Sequence, residues 1–265
     1  MTPAGRDRLR VWSPLLAISG AAWALLAVWP GGMAMPGLCA ASASWAASLG
    51  SASLASLRLA LLIDPPARIA AGWALMLAAM MTPLLAAPVR HLRERSFAGR
   101  RARAITLFVA GYGAVWMAAA AALLALALLL RLVGGGPWPV LALAFALALI
   151  WQASPAKQRC LNRCHALPEL PAFGWAADRA ALGFGLTHGG WCVGGCWALM
   201  LVPLLAPGAH LAAMAGVALW LLAERLDRPA PARWRLRTPA KALRLVAARA
   251  RKAAAIRPLL PRRVS

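Results

Sequence analysis

The chain has 265 residues, 62% of them hydrophobic, and a mean hydropathy of +0.67, which is too apolar for a soluble domain of ordinary surface area. Its formal charge of +22 would usually point to nucleic acid, but the basic residues cluster between apolar runs. That pattern reads as membrane topology, so no nucleic-acid partner is expected.

Apolar segments able to cross a hydrocarbon core about 30 Å thick are expected near 12–30, 69–88, 105–130, 138–154, 181–206 and 209–223. The predicted fold is therefore all-α, a polytopic membrane bundle of about six transmembrane helices. Arg6, Arg8 and Arg10 precede the first span, and six arginines from Arg90 to Arg103 follow the second. Lys157, Arg159, Arg163 and Arg179 lie between the fourth and fifth, and a basic stretch begins at Arg225. Lys and Arg gather in cytoplasmic loops, so both termini are placed in the cytoplasm of a bacterial inner membrane. The uncharged stretch Leu38 to Leu57 would invert every later loop if it crossed, so an interfacial helix is expected there. The first span is expected to be retained rather than cleaved near "CAASA". The bundle is assigned to residues 1–228 and a basic cytoplasmic tail to 229–265. In that tail Thr238 and Pro239 can open an amphipathic helix against anionic lipid.

The second span carries "WALMLAAMMTP", which puts Met76 and Met80 one turn apart on one face. Beyond the fourth span, "KQRCLNRCHALPELP" spaces Cys160 and Cys164 by four with His165 adjacent; the fourth helix is expected to continue past Pro155. Cytosolic thiols stay reduced, which suits reversible capture of a soft metal. The fifth span carries "THGGWCVGGCWALM". A spacing of four advances about 400°, so His188, Cys192, Cys196 and Met200 follow one slowly turning stripe. Sulfur ligands favour Cu(I), and imidazole accepts copper or zinc, so the stripe points to Cu(I) ahead of Zn. Packing is the competing account of the sulfurs, but an ionisable side chain at membrane depth is a functional candidate. The metal candidates are Cys192, Cys196, His188, Cys160, Cys164, Met80 and Met76. Asp64, His91 and His210 read as capping or interfacial residues. Met33 and Met35 are weaker candidates as external acceptors. No phosphate loop, nucleophile elbow or paired intramembrane carboxylate suggests an enzyme.

The ordered motifs "WALMLAAMMTP", "WQASPAKQRCLNRCHALP", "GLTHGGWCVGGCWALM" and "LLAERL" over residues 69–228 resemble the bacterial predicted metal-binding integral membrane protein family, described as membrane copper chaperones associated with copper oxidases. The resemblance assigns the family's Met-Met to Met80 and Met81, its cytoplasmic pair to Cys160 and Cys164, and its late motif to His188, Cys192, Cys196 and Trp197. Many members carry adjacent cysteines before that Trp, whereas this chain has Gly195 and Cys196. The resulting expectation is a non-enzymatic Cu(I) chaperone serving assembly of an extracytoplasmic or membrane cuproenzyme. A structural subunit of a membrane complex, or thiol–disulfide exchange, would use the same residues differently.

Overall fold

The computed structural model describes residues 3–28, 66–134, 136–206 and 209–236, together with 238–239, 241–242, 244–245 and 248. Met33, Met35, Cys39, the stretch Leu38 to Leu57, Asp64 and the tail from 249 onward lie outside the described residues. In chain order the elements are α1 (Pro3–Val28), α2 (Pro66–Met81), a 3-10 turn (Thr82–Leu85), α3 (Ala86–Arg95), a second 3-10 turn (Ala98–Arg100), α4 (Arg101–Gly134), α5 (Pro137–Ala153), α6 (Pro155–Cys164), α7 (Gly174–Leu205) and α8 (His210–Arg225). The expected all-α class stands.

The number of spans differs from the expectation. Among the described residues, four helical rods are long and apolar enough to cross a membrane: Leu9–Val28, Ile69–Arg95, Ala98–Arg131 and Gly174–Leu205. A fifth follows only if the bent pair α5–α6 is taken as one broken span. The segment expected at 209–223 forms α8, whose 16 residues rise about 24 Å, short of a full hydrocarbon core. Nor does the fourth segment continue smoothly past Pro155. Proline disfavours helical backbone at the residue before it, and Ser154 is extended, with φ −73° and ψ 144°. The Ser154 Oγ then accepts from the Lys157 backbone N–H at 3.1 Å and caps a new helix, α6, turned 69° from α5.

Helices α4 and α7 run parallel in the most intimate pairing of the bundle. Glycines permit it: a Cβ on Gly185 would lie 2.2 Å from the Phe108 carbonyl oxygen, and one on Gly111 would lie 2.7 Å from that of Leu182. At one end of the pair Asp178 bridges Arg100 at 2.6 Å and Arg103 at 2.7 Å. At the other, Arg131 donates to the Leu204 carbonyl at 3.1 Å. Helix α2 is tied to α1 by Ser19 Oγ donating to Ala79 O at 2.6 Å, and to α4 by Trp73 Nε1 donating to Trp116 O at 3.1 Å. One apolar core runs between these helices, and their outer faces carry exposed Leu16, Ile18, Leu25, Val109, Leu129, Phe145 and Ile150.

The first described part of the tail is docked against the bundle. Asn162 holds Ala230 by two hydrogen bonds, Nδ2 to O at 2.8 Å and N to Oδ1 at 3.2 Å. Arg235 N donates to Ala153 O at 2.9 Å, and Lys241 N to Asp227 Oδ1 at 2.9 Å. Residues 227–236 therefore fold back over the junction of α5 and α6.

Candidate metal centre

The pairing of α4 with α7 fixes the centre. Gly189 lets Tyr112 approach α7 closely, and the Tyr112 hydroxyl lies 3.3 Å from Cys192 Sγ. One turn on, Cys196 Sγ donates to the Cys192 carbonyl at 2.9 Å. The α7–α8 hairpin, pinned by His210 Nδ1 donating to Pro203 O at 2.7 Å, returns the chain so that the inner end of α8 meets Cys192. There Arg225 Nη2 donates to Cys192 Sγ at 3.3 Å.

Helix α6 closes the centre. Its Cys164 is buried and shares a small cavity with Cys192, Gly195, Cys196 and Arg225, bounded by Leu84, Leu161 and Leu221. Three free thiols from two helices thus face one cavity. Cys160 is half-buried and points elsewhere on α7, so that a Cβ added at Gly194 would lie 2.7 Å from its sulfur. The structure divides the spaced pair: Cys164 enters the centre, and Cys160 packs against the backbone beside it.

His188 is buried one turn before Cys192, within an aromatic cage of Phe108, Tyr112 and Phe184 whose ring centroids lie 5.7–6.1 Å from its own. Met76, Met80 and Met200 are buried in the common core, but α2 reaches the cavity wall through Leu84 in the adjoining 3-10 turn. His91 and His210 are anchored to carbonyl oxygens, of Pro168 at 2.8 Å and Pro203 at 2.7 Å. Among the described residues, no three His, Cys, Asp or Glu side chains already meet as a metal-ligand set.

One buried ring nitrogen next to Cys164 in the chain lacks a partner. His165, the C-cap of α6 directly after Cys164, has its Nε2 shielded from solvent with no hydrogen-bond partner. Such atoms are rare, and a ligand is one reason for them. Burial, then the Arg225 charge, lower the imidazole pKa from its ordinary value, which favours the neutral ring that donates to metals.

A polar latch holds α6 over the centre. Glu224, the neighbour of Arg225, accepts from Lys157 Nζ, from Gln152 Nε2 at 2.6 Å and from Trp220 Nε1 at 2.9 Å. A buried ion pair must have such partners to be tolerated. Tyr112, Gln152, Lys157, Glu224 and Arg225 are outside the sequence-derived site; the signal for them was charge and amide within or beside apolar helices.

The thiols, the orphan imidazole nitrogen and the guanidinium can serve a soft metal cargo. No curated protein and no solved structure matches the chain. Residues 70–248 match a family model described as PpoB2, copper chaperone, and span α2 to the docked tail with every cysteine of the centre. The chain therefore belongs to the PpoB2 copper chaperone family.

Proposed function

We propose that this chain is an integral membrane Cu(I) chaperone that holds its cargo between α6 and α7 and releases it for cuproenzyme assembly. The observation that carries the reading is the convergence of Cys164, Cys192 and Cys196 on one buried cavity, with the unpartnered His165 nitrogen beside Cys164. Soft thiolates select Cu(I) over harder cations, with zinc as the second choice. Cys192 and Cys196 hold the metal, Cys164 completes or passes on its coordination, and Cys160 receives it at the α6 surface. His188 stiffens the wall of the centre, and Met76, Met80 and Met200 extend a thioether-rich core outward from it. Tyr112 and Arg225 orient the Cys192 sulfur. The apolar outer faces suit a lipid bilayer, with α1, α2–α3, α4 and α7 crossing it, α5 and α8 reaching nearly across, and α6 lying at the cytoplasmic boundary. On this reading the chain sits in the inner membrane with its termini on the cytoplasmic side and the centre a short distance below the inner surface.

Loading purified protein with Cu(I) under reducing conditions tests the proposal. The expected result is about one copper per chain, lost in Cys192→Ser, Cys196→Ser protein. Retention of wild-type copper by that variant would overturn it, and equal retention of zinc with no Cu(I) preference would overturn the metal assignment.

A further inference from the structure

A larger cavity lies on the other side of the Lys157–Glu224 latch. It is a cleft of about 950 Å³ between the inner ends of α5 and α8, the start of α6 and the described residues that follow α8. That size falls within the roughly 300–1,000 Å³ of small-molecule sites. Six cationic residues line it, namely Lys157, Arg228, Arg233, Arg235, Lys241 and Arg244, against the two carboxylates Glu224 and Asp227. Lys157 is committed to Glu224, so the remaining walls carry a surplus of guanidinium and ammonium groups. Arg228, Arg233, Arg235 and Lys241 are exposed.

The floor supplies an independent observation. Gln152 lines the cleft, is only 9% exposed, and has an Oε1 that is shielded from solvent and accepts no hydrogen bond. Its amide orientation is fixed, because Nε2 must face the Glu224 carboxylate. A buried carbonyl without a donor costs about 1–3 kcal/mol. The cleft therefore presents cations at its walls, and an unmet acceptor belongs to a residue of its lining. A fitting ligand combines a negatively charged phosphate with a hydroxyl that can donate.

We infer that the cleft binds the headgroup of a hydroxylated anionic phospholipid of the phosphatidylglycerol type, with Arg233 and Arg235 meeting the phosphate and Gln152 Oε1 accepting from the glycerol. Arginine forks suit phosphate oxygens. The lipid source, rather than free phosphate, follows from placement: the inference rests on the reading that α5 and α8 end at the cytoplasmic face, where headgroups lie. The bound headgroup would lie against Glu224 and Lys157, and so brace the latch that holds α6 over the thiols.

The test needs no copper, so its outcome is separate from that of the chaperone reading, and membrane placement is checked apart by carbonate extraction. The full chain in nonionic detergent is titrated with short-chain phosphatidylglycerol, phosphatidic acid, phosphatidylcholine or inorganic phosphate, followed by thermophoresis and thermal stability. Phosphatidylglycerol is expected to bind at least tenfold more tightly than phosphatidylcholine and to raise the melting temperature. The surface variant Arg233→Gln, Arg235→Gln is expected to lose that tenfold while melting like wild type without lipid. Gln152→Leu is expected to abolish the preference for phosphatidylglycerol over phosphatidic acid. Equal binding of phosphatidylglycerol and phosphatidylcholine would overturn the inference. Inorganic phosphate displacing the lipid at equal concentration would reassign the cleft to a small anion. A lipid preference unchanged in Gln152→Leu would remove the hydroxyl contact.

Discussion

Gly185→Ala tests whether the close approach of α4 and α7 is what assembles the centre. The added methyl carbon would lie 2.2 Å from the Phe108 carbonyl oxygen, 2.9 Å from its carbon and 3.0 Å from its Cα, all backbone atoms that no rotamer change can move. Ordinary nonbonded separation is about 3.5 Å, so the helices must part by roughly 1 Å. Overpacking of this kind costs about 1–3 kcal/mol, which for a chain of this size lowers Tm by roughly 2–12 °C. The control is Gly183→Ala two residues earlier, where the new carbon meets nothing within 4 Å. There the helix gains the propensity difference, up to about 1 kcal/mol. Thermal unfolding of both variants in the same detergent reads the contrast. Because Tyr112 lies one turn beyond Phe108, Gly185→Ala should also weaken Cu(I) retention against a competing chelator, and Gly183→Ala should not. If the two variants unfold at the same temperature, the close-packing argument fails.

Tyr112→Phe removes one hydroxyl beside Cys192 and leaves the ring packing; outer partners of metal ligands contribute about tenfold or more in affinity, so chelator competition should show weaker Cu(I) binding with little change in Tm. Glu224→Leu alone strands buried Lys157 and should cost about 3–5 kcal/mol, whereas Lys157→Met, Glu224→Leu together should be milder in denaturation, and additive losses would contradict a coupled pair. Cys164→Ser should release most of the bound copper at equilibrium, while Cys160→Ser should keep the stoichiometry and slow loading; the reverse order in copper analysis would exchange their roles.

Much of the architecture was readable from residues. The apolar runs mark helices, and the four-residue spacing from His188 to Met200 puts soft donors on one stripe; the break at Pro155, which restricts Ser154, was missed by the expectation that the fourth helix runs on. The sequence pattern gave no account of how sharply α6 turns, since the angle depends on what α6 packs against. The segment 209–223 was already short for a span in the sequence, but where the chain leaves the helix was not legible, because hydropathy measures composition.

The donor types, their helical spacing and the family itself were determined by the sequence alone, because periodicity and motif order are local properties. Which cysteine of the 160/164 pair faces Cys192, and that Tyr112 and Arg225 meet its sulfur, were decided only in the tertiary structure. Those contacts join residues 28 to 80 positions apart, and they depend on the glycine-permitted approach of α4 to α7 and the return of α8. A helical wheel shows which side chains share a face, but the partner that face meets is set by packing between helices.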